Sequence, residues 1–342
     1  MKIAKLQLKQ FRSYESKSVS FDDNVTLIVG KNGAGKTNIL EAIHILLSGS
    51  SFRDSDSEVM RRGGDWWQIK GVIDGVDREV RYESAKKSTT IDDKTYQRLS
   101  DTHKIPLVLF EPDDLLLIHA QPGARRAYID KFLSHLSHDF TQSKKRYDRA
   151  LRQRNTLLKQ PTIDSDTVFV WDMMLAREGA YIRAQREVLL AQYNEALSED
   201  YEHIASKKTT IVVEYKSTIH ASNYEQALLS ELESRLERDR YLGFTSVGPH
   251  RDDVIFMMND TRMDTNASRG EIRSLLLALK QFESDVIERT IGSPPIVLLD
   301  DVFSELDSER QATLLSLFVS NQVIITTTEY DHGDDTINLL RV

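Results

Sequence analysis

Gly30, Lys31, Asn32, Gly33, Ala34, Gly35, Lys36 and Thr37 (GKNGAGKT) match the phosphate-loop pattern G-x-x-x-x-G-K-[ST] at every fixed position. The glycines permit a tight turn that aims successive backbone N–H groups at a triphosphate. Lys36 brings positive charge to the β- and γ-phosphates, and the Thr37 hydroxyl is a ligand for Mg²⁺. A helix beginning at Thr37 points its positive end at the same phosphates. Far downstream, Ile296-Val297-Leu298-Leu299 ends in Asp300-Asp301. A buried strand of this kind presents its acids at the carboxyl end, where open α/β sheets bind ligands. Asp300 is read as the Mg²⁺ carboxylate and Asp301 as the group that polarises the attacking water. Lys36 and Asp301 are therefore the candidate catalytic pair of a nucleotide site.

These groups need a scaffold, and the neighbouring pattern supplies one. Val25-Thr26-Leu27-Ile28-Val29 reads as a buried parallel strand entering the loop. Ile39, Leu40, Ile43, Leu46 and Leu47 follow the loop at helical spacing. Ile3, Leu6, Leu8 and Phe11 predict an edge strand, which passes through Phe11-Arg12-Ser13-Tyr14 into a second strand ending at the loop. Trp66 to Tyr82 reads as antiparallel strands turning near Asp74-Gly75, with Trp66-Trp67 as packing residues. Ile105 to Phe110 is a further buried strand. Ala124–Leu158 and Met173–Glu199 carry helical periodicity, broken by Pro161 to Asp166, and Tyr224–Tyr241 is another charged helix. Lys36 and Asp300 are thus separated by a large, mainly helical insertion. The expected domains are a split head (residues 1–115 plus 243–342) and a helical arm (116–242).

The chain has 342 residues, a formal net charge of −8 and no cysteine. Disulfides and thiolate metal sites are excluded, and the composition suits a reducing, cytoplasmic setting. No apolar run is long enough to span a bilayer. The acidic average conceals a basic segment: residues 120–160 hold ten Lys/Arg against three Asp. Such a local excess suits attraction to a phosphate backbone without base readout. A solvated charged helix face is the usual reading of such a run; against it, Lys144, Lys145, Arg146, Arg149 and Arg152 stand as candidate DNA contacts. His250, between Pro249 and Arg251, reads as structural rather than catalytic.

Taken together, these motifs resemble the ATP-binding-cassette ATPases of the chromosome-maintenance type, and within them the RecF family of bacterial DNA repair proteins. The matching stretches span essentially the whole chain: Phe11–Tyr14, Gly30–Ile43, Ser51–Arg53, Glu111–Leu115, Arg125-Arg126 with Asp130, Arg152–Asn155, Gly248–Asp253 (GPHRDD), Ser268–Gly270 and Asp300–Asp307 (DDVFSELD). The resemblance implies an α/β fold: a cassette-type phosphate-loop ATPase head with mixed parallel and antiparallel sheets and an inserted, mainly helical arm. ATP and Mg²⁺ are the implied cofactors, with Arg12 added to the nucleotide-binding set. Ser268, Arg269 and Gly270 are implied to act in trans as the signature motif capping the γ-phosphate of a second copy, which makes the homodimer ATP-dependent. A hydroxyl, a glycine and a helix N-terminus suit that task, while Ser268-x-x-Glu271 is also a plain capping box. Ser304 and Asp307 belong to the implied dimer-contact loop. Asp301 stands where most of the wider superfamily has Glu, so slow hydrolysis is expected, and Thr326-Thr327-Thr328 replaces the usual switch histidine.

By the same resemblance, the protein is a weak DNA-dependent ATPase and nucleotide switch of recombinational repair and replication restart within the SOS response to DNA damage. It is expected to be nucleoid-associated and to bind gapped, single-stranded or duplex DNA and its junctions without sequence specificity. Recombinase loading and mediator partners of the RecR and RecO type follow from the resemblance too. Three rivals are an ATPase subunit powering a membrane transporter, a nuclease-coupled ATPase and a clamp that never turns over. The first needs a surface for a membrane subunit, and the second needs an acidic metal-binding domain after the ATPase.

Overall fold

The computed structural model describes residues 1–162, 164–303, 308–328 and 338–342. They divide into two compact units, Met1–Leu115 with Leu276–Val342, and Leu116–Leu275. The first unit opens with β1 (Ile3–Phe11), β2 (Tyr14–Ser20), β3 (Val25–Val29) and α1 (Lys36–Ser48). It continues with β4 (Trp66–Ile73), β5 (Val76–Glu83), β6 (Lys86–Ile91), β7 (Lys94–Tyr96) and β8 (Leu107–Phe110). The second unit holds α2 (Pro122–Leu136), α3 (His138–Leu157), α4 (Ser165–Ala205), β9 (Ile211–Lys216), α5 (Tyr224–Ser234) and α6 (Leu236–Leu242). It also holds β10 (Asp253–Met258), β11 (Thr261–Arg262), α7 (Met263–Asn266) and the start of α8 (Arg269–Ile291). The chain returns to the first unit along α8 and adds β12 (Ile296–Leu299), α9 (Ser308–Leu317), β13 (Val323–Thr327) and β14 (Asn338–Arg341).

Two sheets make the first unit. One is parallel, in the order β14-β3-β13-β12-β8; the other is antiparallel, in the order β2-β1-β4-β5-β6-β7. The α1 helix packs against β13 of the first and β4 and β5 of the second. This double packing is why its burial exceeds the stripe read from spacing: Ala42 and Ile45 are also fully buried. The predicted edge strand is a correction. β1 pairs with β2 on one side and β4 on the other, so it is interior, and its Ile3, Leu6, Leu8 and Phe11 are fully buried. A separate strand, β3, rather than β2, enters the phosphate loop. The turn at Asp74-Gly75 forms, with φ of 49° and 78° at the two residues. Trp67 is fully buried and stacks on Tyr82, while Trp66 lies under Arg81, so the pair is used in packing.

The second boundary also differs from expectation. Residues 243–275 were expected to belong to the head but lie in the second unit, because β10 pairs along its whole length with β9 of the presumed arm. Part of the basic segment 120–160 is internal, where its arginines meet acids of the same unit. Arg154, fully buried, bonds Asp172 (2.5 Å), Asp239 (2.6 Å) and the Leu232 carbonyl (3.0 Å). Arg186 bonds both oxygens of Asp130 at 2.8 and 2.9 Å, and Arg125 bonds both of Asp253 at 3.0 and 2.8 Å. Removing one partner from a buried pair strands the other charge. Arg154→Ala should destabilise this unit by about 3–5 kcal/mol, read as an early urea transition; a loss under about 1 kcal/mol would show that Asp172 and Asp239 do not depend on it.

Candidate nucleotide site

The phosphate loop joins β3 to α1 through two residues in the left-handed region, Gly33 (φ 81°) and Gly35 (φ 101°). At Gly35 a side chain is excluded for a second reason: a Cβ would stand 2.6 Å from the Tyr14 hydroxyl and 2.9 Å from Ser13 Oγ. The Arg12-Ser13-Tyr14 turn therefore lies directly over the loop. Tyr14 donates to the Ala34 carbonyl (3.4 Å), and Asn38 Nδ2 donates to Ser13 Oγ (3.1 Å). Burial pushes the Tyr14 hydroxyl pKa up to about 12, so it stays a donor at neutral pH.

Lys36 Nζ donates to the carbonyls of Gly30 (2.7 Å) and Lys31 (3.2 Å). Two of the three ammonium donors hold the side chain across the loop, and the third is left to meet a phosphate oxygen. Asn32, Gly33, Gly35, Lys36 and Thr37 line one wall of a cleft of about 290 Å³; Asp300, Asp301 and Arg53 line the other. Thr37 Oγ1 donates to both carboxylate oxygens of Asp300, at 2.9 and 3.0 Å. Oxygens at two adjacent corners of an octahedral Mg²⁺ shell with ~2.1 Å bonds stand about 3.0 Å apart. The Thr37–Asp300 pair has that spacing, so the donor set fits the ion. Asp300 is 6% exposed, and burial raises its pKa, a rise offset by hydrogen bonds from Thr326 and Thr37. A divalent cation would favour the ionised form.

Thr326 is the part of the site that no motif announces. Its hydroxyl, fully buried at the end of β13, donates to Asp300 Oδ1 (2.7 Å) and accepts from the Asp301 N–H (2.9 Å). Asp301 adopts a left-handed backbone (φ 51°), which this bond holds. The residue standing in place of the usual switch histidine thus orients both acids from beneath. The sequence signals are a polar side chain inside an apolar strand and the place of Thr326-Thr327-Thr328 where the resembled superfamily has its switch histidine.

Arg53 also lines the cleft, and its sequence context alone does not mark it for that role. Its position depends on Arg12, which does not itself line the cleft. The Arg12 guanidinium bonds both oxygens of the fully buried Glu41 (2.8 and 2.6 Å), Asp54 (2.5 Å) and the Glu58 carbonyl (3.1 Å). Those bonds, the ones to Glu41 foremost, raise its pKa well above the ordinary value. Ser51 Oγ donates to Glu41 (2.6 Å) and accepts from the Arg53 N–H (2.9 Å). Arg12 therefore anchors the loop that carries Arg53.

The cleft is built wholly from the first unit, whereas Ser268, Arg269 and Gly270 belong to the second. Ser268 and Glu271 form the reciprocal capping box: Ser268 N and Oγ each donate to Glu271 Oε2 at 2.9 Å, and Glu271 N donates back to Ser268 Oγ at 3.3 Å. Ser268 and Arg269 are exposed at the start of α8. Ser304 and Asp307 lie outside the described residues.

The DNA candidates separate into two groups. Lys144 is bound to both oxygens of Asp148 (2.6 Å each), and Arg146 is bound to Glu178 at 2.8 and 2.9 Å. Those two are compensated in place. Lys145, Arg149 and Arg152 are exposed and, at i, i+4 and i+7, share one face of α3 over roughly 10 Å. His250 is structural: Tyr147 donates to its Nδ1 (2.6 Å), and its Nε2–H donates to the Thr245 carbonyl (3.1 Å). Burial pushes its pKa down to about 4, so it is neutral at pH 7.

A family model described as AAA ATPase domain matches residues 1–242. The chain is 33% identical over 349 residues to the DNA replication and repair protein RecF of Ruminiclostridium cellulolyticum, covering 97% of this chain and 94% of that protein. It is 35% identical over 345 residues to the same-named protein of Streptococcus uberis, with 97% and 94% covered. Among solved structures, it resembles the recombination mediator protein RecF with ATP, of the RecFOR pathway, at TM-score 0.87 and 28% identity over 97% of this chain and 93% of that one. An Smc head bound to a ScpA domain gives TM-score 0.55 at 16% identity over 96% and 89%, a likeness of fold alone.

Thr326→Val keeps the shape and removes both hydroxyl bonds, leaving Asp300 and the Asp301 N–H short of a partner. Nucleotide turnover should fall by about tenfold or more, with a stability cost of about 1–3 kcal/mol, and Thr326→Ser should retain activity. Equal rates for the valine and serine variants would remove Thr326 from the site.

Proposed function

The chain belongs to the RecF family of bacterial DNA replication and repair proteins, and from that premise we propose that it binds DNA under the control of ATP. The observation that carries this reading is the cleft in which Lys36, Thr37, Asp300 and Asp301 converge, its two walls joined by a hydrogen bond spanning 263 residues of sequence. In this reading the loop N–H groups and Lys36 bind the triphosphate, with Arg53 adding positive charge from the opposite wall. Thr37 and Asp300 would hold Mg²⁺, which supplies neutralisation of the β- and γ-phosphate charge. Asp301, fixed by Thr326, orients the attacking water; its short side chain makes turnover slow.

The exposed turn at Ser268, Arg269 and Gly270 is free to meet a second copy, whose γ-phosphate it would cap. ATP then joins two copies, and hydrolysis releases them. Lys145, Arg149 and Arg152 form the surface each copy offers to DNA, by charge and without base readout. Preference for gaps or single-strand/duplex junctions, help in loading a recombinase, and mediator partners of the RecR and RecO type belong to this reading; the names of the relatives support its coarser part, DNA replication and repair and the RecFOR pathway. A membrane-transporter role is not favoured: the curated relatives are named for DNA replication and repair.

One titration tests the nucleotide and DNA halves together. The salt dependence of DNA affinity should steepen about twofold when ATP is added, because two copies engage the strand. Ser268→Arg should keep the ATP-free slope and lose the steepening. Replacing Lys145, Arg149 and Arg152 with Gln should flatten the slope by about 2–3 per copy, at roughly 0.9 for each phosphate no longer neutralised. A slope indifferent to ATP, or to the triple substitution, contradicts the proposal.

A further inference from the structure

A second concavity, of about 390 Å³, lies within the second unit among α2, α3, α4 and the Pro249-His250 turn. That volume is in the range of small-molecule sites. Four cations line it, Arg126, Lys131, Lys144 and Arg186, against one carboxylate, Asp130. Two of the four are already compensated: Arg186 by Asp130, and Lys144 by Asp148 just outside the lining. Among the described residues, Arg126 and Lys131 are not. The hydrogen bond from Arg126 Nη1 runs to a neutral acceptor, the main-chain oxygen of Asp252. Burial, and then the nearby Arg186 charge, lower the Arg126 pKa against the opposing pull of Asp253, Asp130 and Asp252, none of which forms an ion pair with it among the described residues. Lys131 is exposed on the same helix. Gly123 lines the pocket without the positive φ that would explain a glycine, and a Cβ there would sit 3.7 Å from Arg126 Nη2. Gly123 and Arg126 thus border the cavity side by side.

We propose that this pocket binds a phosphate monoester, with Arg126 at the floor and Lys131 at the rim. A planar fork beside a point charge suits the tetrahedral oxygens of a phosphate. A recess of this volume suits a phosphate that projects, as on a mononucleotide or a strand terminus. The site is separate from the Lys145–Arg149–Arg152 face and does not depend on the DNA reading.

The test uses the full chain with the phosphate loop saturated by a non-hydrolysable ATP analogue. Calorimetry compares thymidine monophosphate with thymidine, and 5′-phosphorylated with 5′-hydroxyl single-stranded oligonucleotides. The phosphorylated member of at least one pair should bind about tenfold or more tightly, the worth of a charge-assisted hydrogen bond. Lys131→Glu, on an exposed position that does not threaten folding, should abolish that preference, and Lys208→Gln, exposed elsewhere on the same unit, should leave it. A preference confined to the strand identifies a strand end as the source, and one confined to the monophosphate identifies a free nucleotide. No preference in either pair, or a preference that survives Lys131→Glu, overturns the proposal.

Discussion

A buried carboxylate held from two sides is what the nucleotide site depends on. Asp300 receives the Thr37 hydroxyl from the first turn of α1 and the Thr326 hydroxyl from the end of β13. It also completes the parallel sheet through its own N–H, which donates to the Phe110 carbonyl of β8 at 2.9 Å. Three elements distant in sequence are thus tied at one point, and the phosphate loop is positioned by the same bonds that position the metal-binding acid. An ionised carboxylate this deeply buried is costly unless it is hydrogen-bonded or meets a cation. The two hydroxyl bonds meet part of that cost, and burial still raises the Asp300 pKa, so a cation beside it would favour the ionised form further.

The surrounding architecture keeps that point rigid. The α1 helix is gripped by both sheets, and Gln322 links them by bonding the Ile3 N–H (2.7 Å) and carbonyl (2.8 Å) and the Asp22 carbonyl (2.7 Å). The Arg12–Glu41–Ser51 chain extends the same grip to the loop bearing Arg53. In the second unit buried arginines pair with acids, while Lys145, Arg149 and Arg152 stand exposed on one face of α3.

Local patterns carried much of this. The phosphate loop, the apolar strand ending in Asp300-Asp301 and the Asp74-Gly75 turn are set by a few neighbouring residues, so they could be read directly. What could not be read depended on partners far along the chain. β1 has the composition of an edge strand but gains β4 as a second neighbour. Residues 243–275 join the second unit because β9 is there to pair with β10. Arg146 carries the same charge as Arg149, and only the fold reveals that Glu178, 32 residues on, has already claimed it; the Lys144–Asp148 pair, four residues apart on one helix, was open to a reading from spacing. Arg12 has the look of a phosphate ligand in sequence, but Glu41, buried on α1, holds it. Thr326 gives little warning beyond its place where the resembled superfamily has a switch histidine, because a threonine in a strand is ordinary and its role comes from Asp300 lying beside it.

The most direct test of the account is ATP affinity measured with Mg²⁺ and with the metal chelated, for the parent protein and Asp300→Asn. If Asp300 is the metal carboxylate, Mg²⁺ should tighten binding to the parent by about tenfold or more and leave the asparagine variant nearly unchanged. An equal gain from Mg²⁺ in both proteins would contradict the assignment of Asp300, and with it the site as described.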